Sequence, residues 1–132
     1  MRYLIACLAL CAGPALASEC WVAGNFVGQS AQADRSYQFA SDSFSDGMLI
    51  CFTDDGGMVT GSDLQLFRLG PSTLIGYGSN EQGLETVNVY QIDRERRKLL
   101  LTQSRIGTSS MTSLLPDYAA VFVADVVLAP AN

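Results

Sequence analysis

Histidine is absent from this chain of 132 residues, and that absence removes several kinds of active site. Serine and cysteine triads use an imidazole as their general base. Zinc, copper and haem sites that depend on histidine ligands are excluded for the same reason. We therefore expect no enzyme of these classes.

Lysine occurs once, as Lys98, so a serine–lysine dyad would have to use that residue. Two carboxylate pairs remain, Asp54 with Asp55 and Glu81 with Glu85. Adjacent residues of a strand point to opposite faces, which separates the first pair. Asp-Asp-Gly-Gly is instead typical of a hairpin turn. We assign no catalytic residue and expect a protein that is not an enzyme.

Two further motifs are incomplete. Residues 42–47 partly follow a calcium loop, but Phe44 stands at the third position and Thr53 at the twelfth, where a bidentate Glu is needed. Gly76 and Gly78 lie in a strand pattern with no helix after them, so they indicate a bend or a close backbone approach and not a phosphate loop. We expect no metal and no cofactor.

The start of the chain has the pattern of an export signal. Arg2 precedes an apolar run over residues 3–12, which Gly and Pro then interrupt. A small-x-small motif ends at Ala17, so cleavage is predicted between Ala17 and Ser18.

This pattern divides the chain into a signal peptide, residues 1–17, and a single all-β domain, residues 18–132. Such a leader sends the mature protein to an oxidising compartment. We expect a bacterial protein of the periplasm, or one that is secreted from the cell.

Charge is scarce as well. Charged residues make up 16% of the chain, the formal net charge is -5, and there is no lysine-rich stripe. An acidic protein of this kind is a poor partner for nucleic acid or for an anionic membrane. The most apolar stretch, residues 119–131, contains Asp125 and is too short to cross a bilayer, so we expect no transmembrane span in the mature chain.

Cysteine pairing is the clearest covalent prediction. Of the four cysteines, Cys7 and Cys11 belong to the leader, which leaves Cys20 and Cys51. Two cysteines in an exported domain are expected to form a disulfide bond.

Short runs rich in Val, Ile, Leu, Thr and aromatic residues alternate with turn residues, which predicts about eight strands. Short connections force antiparallel neighbours. We predict an up-and-down meander that closes into a small barrel, with a two-sheet sandwich as the alternative. Residues 20–27 form the first predicted strand, 28–36 a loop and 37–41 the second strand, while one bulged strand could join 58–60 and 64–69.

Two later strands differ in how apolar residues are distributed between their two faces. Leu99 and Leu101 share a face that ends in Gln103 and Arg105. The last strand, residues 118–128, is apolar on both faces, and a strand of that kind needs cover from the chain or from a partner.

Residues 93–98 hold the densest charge, with both signs mixed. Such a cluster is a solvated hairpin tip or a surface whose arginine forks bind partner carboxylates. The candidates for partner docking combine these arginines with apolar residues of the last strand: Arg94, Arg96, Arg97, Tyr118, Val121 and Val123.

Aromatic side chains either fill the core or line a cup for an apolar ligand. The candidates for ligand lining are Trp21, Phe26, Phe39, Phe52 and Tyr77. The segment from Trp21 to Phe26 resembles the first strand of lipocalin and avidin barrels, where Gly-x-aromatic begins a meander. That resemblance implies closure into a barrel and no particular ligand.

Three classes of function remain. The first is a non-catalytic interaction or accessory protein of the bacterial envelope, and the second is a barrel that binds a small apolar ligand. The third is an enzyme of unknown type. An enclosed apolar cavity would favour the ligand carrier, whereas a filled core with an exposed apolar patch would favour a protein partner.

Overall fold

Nine antiparallel strands form in the part of the chain that the computed structural model describes, residues 18–107 and 116–130. In chain order they are β1 (Glu19–Gln32), β2 (Ala40–Phe44), β3 (Met48–Phe52), β4 (Gly57–Val59), β5 (Gln65–Arg68), β6 (Thr73–Ser79), β7 (Glu85–Asp93), β8 (Lys98–Ile106) and β9 (Tyr118–Leu128). The predicted leader, including Ala17 of the predicted cleavage site, lies outside the described residues.

The strands follow the order β4-β3-β1-β9-β8-β7-β6-β5. The long strand β1 pairs with β3 along its first half and with β2 along its second half, so β2 and β3 together take one position beside it. Most neighbours around the sheet are neighbours in sequence, and the first strand, β1, also pairs with the last, β9. The predicted antiparallel meander is confirmed, and the sheet nearly closes into a barrel.

The two ends of the sheet meet where β4 approaches β5. The backbone N–H of Arg68 donates to the carbonyl of Asp55 at 3.1 Å, and its Nη1 donates to the carbonyl of Thr53 at 2.8 Å. β4 pairs with β3, whereas β5 pairs with β6. Joining residues 58–60 and 64–69 in one bulged strand is therefore wrong.

The predicted loop at residues 28–36 is partly wrong, because β1 continues to Gln32. Residues 26–30 pair with β2 on one side, and residues 27–32 pair with β9 on the other. Two of the small residues that suggested a loop, Ser30 and Ala31, are buried instead, at 1% and 3% exposed. A bulge at Asn25, where φ is 57°, lets the strand bend between its two halves.

The second strand begins later than predicted, at Ala40 and not at residue 37. Ser36 and Tyr37 adopt φ of 54° and 56° and complete a turn after β1. The N–H of Tyr37 donates to the carbonyl of Gln32 at 2.9 Å. Two successive left-handed residues interrupt the extended backbone, so pairing starts only after the turn.

Large apolar side chains fill the barrel from the end at which β1 begins to its middle. Phe26 stacks on Phe44 with ring centroids 4.2 Å apart, and Phe44 meets the edge of Phe122 at 5.1 Å. The largest fully buried side chains around them are Tyr90, Ile50, Leu74, Leu99 and Leu101. Burial of this apolar area is the main favourable contribution to folding.

The disulfide between Cys20 and Cys51 is confirmed. The two residues are direct partners in the pairing of β1 with β3. The bond therefore ties the start of β1 to the end of β3.

Three charged side chains and one aromatic ring lie at the barrel end where β1 begins, which we call the closed end (Glu19, Arg68, Arg94 and Phe52). Arg94 Nε donates to Glu19 Oε1 at 2.9 Å. The guanidinium groups of Arg68 and Arg94 lie over the Phe52 ring, 5.3 and 5.7 Å from its centroid. Cation–π contacts and ion pairing together stabilise the side chains that cover this end.

Acid should weaken the closed end. Partial burial acts to raise the pKa of the Glu19 carboxyl, but hydrogen bonds from Trp21 and Arg94, with the charges of Arg94 and Arg68, hold it below its ordinary 4.5. The carboxylate therefore stabilises the fold above pH 4.5, and that contribution is lost as pH falls through the lowered value. We expect the urea midpoint of Glu19→Gln to fall less than that of the wild type between pH 5 and 3. Equal slopes would contradict this role.

The last strand is buried on one face only. Ala120, Phe122, Ala124 and Val126 point into the barrel, whereas Val121 and Val123 are 51% and 42% exposed. The described residues do not supply the cover that was expected for a strand apolar on both faces. The exposed side chains of β1, β8 and β9 form what we call the outer valine face: Val22, Val27, Leu100, Val121, Val123 and Val127.

Candidate functional site

Inward-pointing residues become small toward the other barrel end, which we call the open end (the end of β1, the start of β7 and residues 60–64). Along β6, the buried Leu74 is followed by Gly76 and Gly78. On β9, Ala120 is the next inward residue beyond Phe122. The core therefore stops short of this end and leaves space above it.

Leu64 fills part of that space beside the two glycines. A Cβ at Gly76 would lie 3.1 Å from Leu64 Cδ1, and one at Gly78 would lie 2.6 Å from Leu64 Cδ2. The glycines thus mark a close approach, made here by a side chain and not by backbone.

A cavity of about 510 Å³ remains at the open end. This volume falls within the range of small-molecule sites in proteins. Most of the lining is polar, and it includes Gln32, Thr60, Ser62, Asp63, Thr86, Asn88, Gln103, Ser104 and Arg105. Gly61 and five apolar or aromatic residues complete it: Met48, Val59, Leu64, Tyr90 and Tyr118.

Asn88 lies on β7 and is only 8% exposed. Its Nδ2 donates to the hydroxyl of Tyr90 at 3.0 Å. Its Oδ1 is buried and accepts no hydrogen bond from the residues that the structure describes. A buried amide oxygen left unpaired costs about 1–3 kcal/mol, and native proteins seldom leave one without a partner.

Arg105 lies on β8 beside the same cavity. Its Nη2 donates to the carbonyl of Pro116 at 3.2 Å, and its guanidinium lies over the Tyr118 ring, 5.4 Å from the centroid. These contacts hold the side chain in place. Its Nε is buried and has no acceptor within residues 18–107 and 116–130.

The two tyrosines of the cavity stay neutral near pH 7. Burial raises the pKa of Tyr90, with hydrogen bonds to Asn88 and Ser62 acting in the opposite direction. Burial and then the charge of Asp42 raise the pKa of Tyr118, and Arg105 offsets part of that increase. Neither phenol becomes a nucleophilic phenolate, and both offer neutral hydroxyls.

The residues predicted to line a ligand cup are not brought together. Trp21, Phe26 and Phe52 are buried in the core, at 6%, 0% and 2% exposed. Phe39 and Tyr77 are 61% and 40% exposed, and Tyr77 donates its hydroxyl hydrogen to Glu85 Oε1 at 3.2 Å. None of the five lines the cavity.

The residues predicted to dock a partner are spread over three places. Arg94 takes part in the closed end, where it also reaches Ser72 and Pro71. Arg96 pairs with Asp93 at 3.0 Å and is exposed with Arg97 at the turn after β7. The apolar candidates also separate, because Val121 and Val123 belong to the outer valine face while Tyr118 lines the cavity.

The described residues hold no group of three or more His, Cys, Asp or Glu side chains with the spacing of a metal site. Asp54 and Asp55 are exposed in the turn from β3 to β4, where the Thr53 N–H donates to the Gly56 carbonyl at 3.0 Å. Within residues 18–107 and 116–130, no helix has the length and apolar character of a membrane span.

Sequence reasoning missed Asn88 and the unpaired state of Arg105. The signal lay in the face of β8 on which Leu99 and Leu101 give way to Gln103 and Arg105. Asn88 is the direct strand partner of Gln103, so the polar residues of β7 and β8 meet on the inward face. A change from apolar to polar along an inward face indicates a cavity.

Comparison of the chain with known protein families, with curated proteins and with solved structures finds no match. The fold and the cavity therefore define the class by themselves. The chain forms a small, nearly closed, disulfide-bonded β-barrel with one closed end and one open end.

Proposed function

We propose that this chain is a non-catalytic binding protein that holds a small ligand in the open end of its barrel. The observation that carries the proposal is a cavity of about 510 Å³ at the open end, lined mostly by polar residues that include Asn88 and Arg105. A cavity of this volume with polar groups in its lining is typical of a small-molecule site.

The contacts made by the cavity residues support ligand binding and not catalysis. Asn88 is joined to Tyr90, and Arg105 is fixed by Pro116 and Tyr118, so the site is formed before a ligand arrives. Preformed sites lose less entropy on binding. The polar lining favours a ligand more polar than the purely apolar one expected from the aromatic residues.

Export to the periplasm or beyond forms part of the proposal. It rests on the leader pattern of residues 1–17 and on the Cys20–Cys51 disulfide, since such bonds persist in oxidising compartments. A native product whose intact mass begins at Ser18 would support it, and retention of the leader would contradict it.

Asn88→Leu tests the ligand site. The change removes the unpaired Oδ1 at the cost of the Nδ2 hydrogen bond to Tyr90. We expect a free energy of unfolding equal to the wild type or about 1 kcal/mol higher. Native mass spectrometry of the full chain, purified from the organism that encodes it, should show a small stoichiometric adduct on the wild type and none on this variant.

Gln91→Leu is the matched control. Gln91 lies on the same strand but is exposed, and its Nε2 donates to Thr73 Oγ1 at 3.3 Å. This variant should keep the adduct. Absence of any adduct on the wild type would contradict the proposal. So would a loss of several kcal/mol in Asn88→Leu alone, because Asn88 would then be a structural residue.

The outer valine face supports a second candidate, an interaction or accessory protein of the bacterial envelope. Val27 and Val123 are opposite each other on β1 and β9 and are 64% and 42% exposed. Contiguous exposed apolar side chains favour a protein partner. A stoichiometric protein, and not a small adduct, in the same mass spectrum would favour this function.

A further inference from the structure

The outer valine face is a continuous apolar surface across three strands. Val27 and Val123 are direct partners on β1 and β9, and Val123 and Leu100 are direct partners on β9 and β8. All three side chains are exposed, that of Leu100 to 45%. Contiguous exposed apolar side chains mark interaction surfaces, because their burial against another apolar surface is favourable.

Charge is nearly absent from this face. The outward residues of β8 and β9 carry charge in one row only, where Lys98 is the direct partner of Asp125. Lys98 Nζ donates to Asp125 Oδ1, and the two side chains are still 46% and 60% exposed. A chain with a net charge of -5 therefore has here a surface whose own net charge is zero. Two such acidic molecules can approach each other through this surface with little repulsion.

The register of β8 with β9 makes the face complementary to itself. A twofold axis that runs between these strands and parallel to them would turn the sheet over and exchange the two strands, while each row of residues keeps its level. Lys98 of one copy would then face Asp125 of the second copy, and Leu100 would face Val123 of the second copy. Reciprocal contacts of this kind define an isologous interface.

The charged row selects this axis over the other possible one. Two sheets that pack face to face keep their strands within about 30° of each other, and an axis parallel to the strands preserves that alignment. A twofold axis across the strands would reverse the order of the rows. It would place Lys98 and Asp125 opposite uncharged residues or opposite their own copies, which gives no attraction.

We infer that the outer valine face is the interface of a homodimer, in which two barrels pack this face against each other about the axis between β8 and β9. The Lys98–Asp125 pairs of the two copies form one network of alternating charges beside the apolar contacts. A second copy offers both signs of charge in register, whereas a wholly acidic or wholly basic partner surface attracts one side chain and repels the other. The inference goes beyond the proposed function, because the ligand cavity lies inside the barrel.

Analytical ultracentrifugation of the purified protein tests for the dimer. Only the three strands of one curved wall take part, so we expect a small interface and a reversible dimer with a dissociation constant in the micromolar range. The sedimentation coefficient should rise from the monomer value toward the dimer value between about 1 μM and about 500 μM protein. A monomer throughout this range would overturn the inference.

Val123→Glu should raise the dissociation constant about tenfold or more, because it buries a carboxylate in the apolar contact of both copies. Phe67→Glu is the matched control. Phe67 is 44% exposed, close to the 42% of Val123, but lies on β5, four strands away from β9 in the sheet. This variant should dimerise like the wild type. Equal weakening by both changes, or none by Val123→Glu, would overturn the inference.

Reversal of the charges one at a time tests the axis itself. Lys98→Asp leaves two negative charges in the row, and Asp125→Lys leaves two positive charges. Each variant alone should dimerise about tenfold or more weakly, because like charges then face each other across the axis. A mixture of the two should form a heterodimer at least as tightly as the wild type dimerises, although each copy has lost its own ion pair. No gain in affinity on mixing would overturn the inference.

A different occupant of the face would be recognised by two results. The first is a monomer that retains a stoichiometric second protein in native mass spectrometry and loses it in Val123→Glu, which would assign the face to the accessory-protein function. The second is a monomer that binds phosphatidylcholine vesicles and no longer does so in Val123→Glu, which would assign it to a lipid surface. Either result would overturn the homodimer and leave the proposed ligand function unaffected.

Discussion

Gly28→Ala is expected to lower the free energy of unfolding by about 3 kcal/mol or more. A Cβ at Gly28 would lie 1.8 Å from the carbonyl oxygen of Val121 and 2.9 Å from the Cα of Phe122. These are backbone atoms of the neighbouring strand, so no side-chain rotation can relieve the overlap. β1 and β9 would have to separate, which breaks the pairing at the centre of the barrel.

Gly24→Ala is the matched control, since it makes the same change on the same strand. A Cβ there would meet nothing within 4 Å. We expect chemical denaturation to place this variant within about 0.5 kcal/mol of the wild type, as for most surface changes. Similar losses for both variants would show that the sensitivity belongs to β1 as a whole and would contradict the close approach at Gly28.

Removal of the Cys20–Cys51 disulfide is expected to produce a loss of similar size. The bond joins residues 31 apart in sequence. In the chain-entropy model, opening a loop of about that length costs roughly 3–4 kcal/mol. For a domain of this size, the melting temperature should fall by at least 10 °C, at about 4 °C per kcal/mol.

Reductant distinguishes this effect from the loss of side-chain packing. It should lower the melting temperature of the wild type toward that of the Cys20→Ala, Cys51→Ala double variant, and it should leave the double variant unchanged. An unaltered wild type in reductant, with thiol labelling showing that the bond is open, would refute a stabilising role.

The architecture was predictable because it depends on local signals. Alternating apolar residues and turns such as that at Asp54 and Asp55 indicate antiparallel hairpins, and hairpins in sequence give a meander. The pairing of Cys20 with Cys51 followed from the count of cysteines after the leader. None of these inferences needed the positions of distant residues.

The site was not predictable, because its character depends on distant neighbours. Whether Asn88 is a satisfied core amide or a free acceptor depends on Tyr90, Gln103 and the small residues of adjacent strands. Gly28 was assigned to a loop for the same reason. A side chain at this position would overlap the backbone of β9, and that neighbour cannot be seen in the sequence. Composition alone cannot separate a small residue in a loop from one in a crowded barrel wall.

A high-resolution crystal structure of the protein isolated from its own organism tests the central claim most directly. We predict electron density in the cavity for a small molecule in contact with the polar residues of its lining, Asn88 and Arg105 among them. A cavity filled by the protein's own side chains would contradict the account.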